Sequence, residues 1–134
     1  MRIPQPPGEG PEGDSRNHPA LSVVIPVFSE GPLVNVLYQR LSAVMAVLPG
    51  PYEIIVVDDG SQDSTFAHLQ ELHRRDPAVK IIRLARNFGH QMALSAGLAR
   101  ATGERIAVMD GDLQDPPELL PIMLRKLDEG YDVA

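Results

Sequence analysis

The chain has 134 residues, 18 Asp+Glu against 12 Lys+Arg for a formal net charge of −6, and no cysteine. That length allows about one domain with a real hydrophobic core. The acidic balance, without a Lys/Arg stripe among aromatics, argues against a nucleic-acid binder, and the lack of cysteine excludes a disulfide framework and a thiolate zinc site.

No run approaches the ~18 consecutive apolar residues that a membrane span requires. Residues 1–19 are rich in Pro, Gly and charge and lack the apolar centre of a signal peptide. They are expected to be a disordered lead outside the fold, which leaves residues 20–134 as one domain.

Leu21-Ser22-Val23-Val24-Ile25-Pro26-Val27 is a β-branched run, the pattern of a strand buried on both faces, with Pro26 expected to end its regular pairing. Leu33, Leu37, Leu41, Val44 and Leu48 then recur at helical spacing, up to Pro49-Gly50-Pro51. Tyr52 to Val57 is a second buried strand, running into the turn Asp58-Asp59-Gly60-Ser61. A helix over about 63–75 follows, then a third strand over Val79–Leu84 that ends at Arg86-Asn87-Phe88-Gly89.

The next predicted helix, about 90–101, carries the small residues Ala93, Ala96, Gly97 and Ala99, which permit close packing on a sheet. A fourth strand over 105–109 leads to Asp110-Gly111-Asp112. Asp115-Pro116-Pro117-Glu118 has the form of a helix cap closed by a capping box, ahead of an apolar face of Leu119, Leu120, Met123, Leu124 and Leu127. Gly130-Tyr131-Asp132-Val133-Ala134 has the form of a helix stop and the opening of another strand, so the expectation is a truncated chain, cut after its fourth or fifth strand.

Regular strand–helix alternation with buried strands predicts an α/β fold, a mostly parallel sheet with helices on both faces. A reversal of strand order after the third strand would put strands one and four side by side. Ligands in such sheets bind beyond the carboxyl ends of the strands, at that switch point.

Those ends carry most of the chemistry: Pro26, Phe28 and Glu30 after strand one, Asp58 and Asp59 after strand two, Arg86 and Asn87 after strand three, and Asp110, Asp112 and Gln114 after strand four. Side chains at i and i+2 of an extended backbone share a side, so Asp110 and Asp112 could converge on a hard cation such as Mg²⁺ or Mn²⁺. Carboxylates gathered at one edge repel unless a cation or donor compensates, which favours a metal-dependent site over a solvated rim. Asp63 reads as a helix cap and His90 as a polar contact rather than a base. Arg86 suits either solvent or a phosphate. No Gly-x-Gly-x-x-Gly or Walker lysine motif is present.

Four segments in order resemble family 2 glycosyltransferases of the Rossmann-like GT-A fold. They are Ser22 to Glu30, Glu53 to Ser61 with Asp63 and Thr65, Arg86 to Gln91, and Met109 to Glu118. The last two are similar to the polyprenyl-phosphate branch, dolichyl-phosphate mannosyltransferase and the undecaprenyl-phosphate sugar transferases. The resemblance implies that Pro26, Phe28, Glu30, Val57 and Asp59 line the base and ribose of a nucleotide sugar. It implies that Asp110, Gly111 and Asp112 meet ribose and diphosphate, with Asp110, Asp112 and Gln114 on Mg²⁺ or Mn²⁺, and Asn87 and Gln91 on the sugar or acceptor side.

The implied reaction is inverting transfer from a UDP- or GDP-sugar to a polyprenyl phosphate at the cytoplasmic face of a membrane, this chain holding the donor half and no catalytic residue of its own. A family 2 transferase with a polysaccharide or other acceptor, and a non-catalytic nucleotide-binding module, are the alternatives. Two departures from the family pattern stand out. Ser29 occupies a position usually held by Asn, and Gly111 one often held by Ala.

Overall fold

A computed structural model of the chain describes residues 18–130; residues 1–17 of the expected lead and the expected strand opening at 131–134 lie outside the described residues. Its strands are β1 (Leu21–Val27), β2 (Tyr52–Asp58), β3 (Val79–Arg83) and β4 (Arg105–Val108), and its helices are α1 (Leu33–Val47), α2 (Thr65–Arg75), α3 (His90–Arg100) and α4 (Leu120–Asp128). The strands form one sheet in the order β3-β2-β1-β4, and every pairing is parallel. The predicted reversal after the third strand is therefore present, with β1 and β4 adjacent.

Two-residue alternation divides the core. Val23, Ile25, Val27, Ile54, Val56, Val79 and Ala107 face α1, α2 and the start of α4, whereas Val24, Ile55, Val57 and Ile106 face α3. Among the α1 positions, Leu37, Leu41 and Val44 are buried as the spacing predicts, and Val34 and Met45 join them. Leu48 falls just past the helix end.

Pro26 does not end β1; it keeps register with Val57. In a parallel strand alternate residues bond to alternate neighbours. The Val24 carbonyl accepts from Met109 and the Val27 carbonyl from Asp59, so Pro26 faces β4, beyond the last pair Val24–Val108. Its missing N–H costs no ladder bond there. At the start of the sheet, Pro19 is buried and its carbonyl accepts from Glu104 N–H at 3.2 Å, so this residue of the expected lead packs with the fold.

The small residues of α3 allow a close approach. A Cβ placed on Gly97 would overlap Val24 Cγ1 and stand 3.0 Å from Val57 Cγ2. At the amino-terminal end of the sheet, Glu53 is 2 % exposed and fully bonded. It accepts from Ser22 Oγ at 2.6 Å, Lys80 Nζ at 2.6 Å, Thr102 N–H at 2.8 Å and Thr102 Oγ1 at 3.0 Å. Burial alone would push its carboxyl up; these bonds together hold it below its ordinary value of 4.5. Ser22 Oγ in turn accepts Gly103 N–H at 2.8 Å, so one carboxylate ties together β1, β2, β3 and the approach to β4.

Three outcomes follow from this packing. Gly97→Ala should destabilise the fold by about 1–3 kcal/mol in urea titration, because the stiff valines beneath cannot give way. Glu53→Ala should cost about 3 kcal/mol, since it strands buried donors. Because the folded-state value is depressed, the stability Glu53 contributes is present above 4.5 and is lost as pH falls through the folded value. A Glu53→Gln variant should therefore show a shallower acid-side loss of stability than the unmodified chain.

Candidate functional site

Beyond the carboxyl ends of β1 and β4 a cleft of about 440 Å³ opens. It brings together Pro26, Phe28, Glu30, Asp59, Asn87, Asp110, Gly111 and Asp112, all expected from the sequence, with His90 and Ala93 of α3 along one wall. A second hollow of about 770 Å³ shares Phe28 and Asn87 and continues past Gln62, Arg83 and Arg86. Phe28, 47 % exposed, stands between the two. The Arg86 guanidinium lies over the Phe88 ring, 4.5 Å from its centroid.

The two carboxylates ending β2 point to opposite faces. Asp58 continues the row of Ile54 and Val56, toward α1 and α2, and its Oδ1 accepts Ser61 N–H at 2.9 Å. Asp59 continues the row of Ile55 and Val57, toward α3. Its Oδ1 accepts Phe88 N–H at 2.8 Å and its Oδ2 accepts Gly89 N–H at 3.0 Å. Asp59 thus fixes the loop that delivers Asn87 and His90 to the cleft. Each carboxylate oxygen has a second acceptor direction left.

Asp110 follows Ile106 and Val108 on the α3 face, and its Oδ1 lies 3.9 Å from His90 Nε2. The backbone is not extended through Asp112, as the i, i+2 argument assumed. It turns after Asp110, and Leu113 takes a φ of 65°. Asp112 Oδ1 accepts Gln114 N–H at 3.1 Å. Convergence therefore comes from the turn and from the close seating of Gly111, whose added Cβ would lie 2.6 Å from Val27 Cγ1 and 3.2 Å from the Pro26 carbonyl oxygen. That spacing is a physical reason for glycine rather than alanine between the two aspartates.

Glu30 records the crowding. Burial raises its carboxyl above the ordinary value, and Asp112, Asp63 and Asp110 raise it further, against one backbone hydrogen bond at Phe28 that lowers it.

Three expected residues do not line the cleft. Val57 is fully buried in the core beneath α3 and offers a ligand no surface. Gln91 is exposed on the first turn of α3, and Gln114 is exposed beyond the turn. The expected capping box is also absent. Asp115 Oδ2 accepts Asp110 N–H at 3.4 Å, and Glu118 pairs with Arg40, Nη2 to Oε1 at 2.5 Å. A 3₁₀ turn, Pro117–Leu119, starts α4 without a side-chain cap. His90, expected as a polar contact, has Asp110 beside it; its place at the start of the helix that crosses to the other face puts it beside the β1/β4 crevice.

The residues suit a divalent cation in part. Among the described residues no three His, Cys, Asp or Glu side chains gather as a cage. Two carboxylates in an open cleft are nevertheless what Mg²⁺ takes from a protein when ligand phosphates and water fill the other positions. Burial is the larger part of the upward push on Glu30; the part that comes from Asp112 and Asp110 is repulsion that such a cation would relieve.

A family model described as glycosyl transferase family 2 matches residues 22–134. The chain is 47 % identical over 117 residues to an uncharacterized glycosyltransferase, YkcC, of Bacillus subtilis, covering 87 % of this chain and 36 % of the relative. It is 42 % identical over 115 residues to an undecaprenyl-phosphate 4-deoxy-4-formamido-L-arabinose transferase of Klebsiella pneumoniae, covering 85 % and 35 %. Among solved structures, a mannosyltransferase of Pyrobaculum calidifontis in complex with GDP-Man and Mn²⁺ superposes with a TM-score of 0.58 at 24 % identity, over 74 % of this chain and 33 % of that one. The TarS protein of S. aureus in complex with UDP gives 0.58 at 27 %, over 81 % and 32 %. The chain spans about a third of the length of the curated relatives it matches. With the fold, the cleft and these matches in agreement, the chain belongs to glycosyl transferase family 2 and has the GT-A fold.

Proposed function

We propose that this chain is the donor-binding part of a glycosyltransferase that moves a sugar from a UDP- or GDP-sugar to a polyprenyl phosphate, with inversion and with Mg²⁺ or Mn²⁺. The observation that carries the reading is the cleft in which Glu30, Asp110 and Asp112 converge beside Phe28 and Asn87. The polyprenyl-phosphate acceptor of the Klebsiella relative and the nucleotide complexes of the two solved structures support it.

In this reading the half-exposed ring of Phe28 offers the base an apolar face. Glu30 and Asp59 meet the ribose and base side through their remaining acceptor directions. Asp110 and Asp112 hold the cation, with Gly111 letting the diphosphate lie close to the backbone. Asn87 faces the sugar. The cation, when bound, offsets the negative charge that builds on the departing diphosphate. A phosphate oxygen of the acceptor is already anionic and attacks the anomeric carbon from the side opposite the diphosphate, which inverts that centre. No protein base has to remove a proton first. Such an acceptor would be met at the cytoplasmic face of a membrane. None of the helices among the described residues is long and apolar enough to cross one.

Calorimetric titration with UDP and GDP should show binding that strengthens with Mn²⁺, and Asp112→Ala should remove that strengthening and weaken binding at least ~10-fold. Intact, metal-dependent binding by the variant would remove Asp112 from the site. Glu30 supplies a separate check. Its raised folded-state value means the ionised form is disfavoured on folding, so its penalty sets in as pH rises through 4.5 and is complete at neutral pH. Glu30→Gln should therefore raise the midpoint of thermal melts at pH 7 while weakening nucleotide binding.

A further inference from the structure

Glu30 sits between two residues with left-handed backbone, Ser29 at φ 54° and Gly31 at φ 56°. Gly31 adopts that conformation freely, but Ser29 does so against steric resistance. Something must hold the segment there, and two buried hydroxyls do, Ser61 of the loop after β2 and Thr65 at the start of α2. Ser29 N–H donates to Ser61 Oγ at 2.8 Å, and Gly31 N–H donates to Thr65 Oγ1 at 2.8 Å.

Both residues are themselves held. The Thr65 hydroxyl donates its proton to Asp63 Oδ1 at 2.5 Å, which turns a lone pair toward Gly31, and the same oxygen accepts Thr65 N–H at 2.9 Å. Ser61 is fixed through its N–H to Asp58 Oδ1. Thr65 is 0 % exposed and Ser61 2 %, so a ligand in the cleft has almost no surface of either to touch.

We infer that Ser61 and Thr65 are positioning residues: their hydroxyls clamp the backbone on both sides of Glu30 and so set its carboxylate in the cleft opposite Asp112. Asp63 belongs to the same device, because it orients the Thr65 hydroxyl. This gives the Asp63-x-Thr65 portion of the second sequence motif a structural role. The effect on ligand binding rests on the donor reading of the cleft; the clamp itself does not.

The test pairs amide hydrogen exchange at residues 29–31 with calorimetric titration of UDP and GDP in Mn²⁺, on the whole chain. Thr65→Val should speed exchange at Gly31 and weaken nucleotide binding, each roughly 10-fold, and Thr65→Ser should restore both because it keeps the acceptor. In a Glu30→Ala background, Thr65→Val should weaken binding no further, since the group it positions is gone. Ser61→Ala, read at Ser29, repeats the exchange test should Thr65→Val fail to fold. Unchanged exchange at Gly31 would overturn the clamp, and equal weakening with and without Glu30 would overturn its action through that residue. If the unmodified chain binds neither nucleotide, the donor reading falls, and the exchange rates alone decide the clamp.

Discussion

Two consecutive carboxylates at the end of β2 must point to opposite faces of the sheet, and much of the cleft depends on that. Asp58 turns toward α1 and α2 and shapes the loop that carries Ser61. Asp59 turns toward α3 and gathers Phe88 and Gly89. A one-residue slip of β2 would exchange the two roles and undo both loops. Register in turn is secured by the apolar rows on each face, so core packing and site geometry are one constraint.

The ends of the sheet use acidic groups in opposite ways. At the amino-terminal end, Glu53 is buried with every interaction satisfied and its carboxyl held low. At the carboxyl end, Glu30, Asp110 and Asp112 share a cleft with no basic side chain but His90 along its wall, and the Glu30 carboxyl is pushed up. The first arrangement adds stability, while the second withholds it. Such a division is expected where a fold maintains an unfavourable site at the expense of stability elsewhere.

Much of the architecture was legible because it rests on local pattern. β-Branched runs gave strands buried on both faces, helical spacing gave α1, and strand–helix alternation gave the parallel sheet with its reversal. The site was legible at strand ends for the same reason. What the sequence hid depends on partners far along the chain. Pro26 stays within β1 only because the β4 ladder has already ended beside it. Glu118 leaves its helix end for Arg40, 78 positions away. Val57 sits two residues before Asp59 in the same row, short of the cleft, and is buried beneath α3.

The seating of α3 has a further consequence. With Gly97 pressed onto Val24 and Val57, that helix cannot slide or tilt without prising apart the layer beneath it. One wall of the cleft is thus a fixed reference surface. With 29–31 held by Ser61 and Thr65 and the 88–89 backbone held by Asp59, opening or closing around a guest is left to the irregular backbone at 110–116. Adaptation to different guests in this architecture is then a matter of that short segment, against a wall that stays where the sheet puts it.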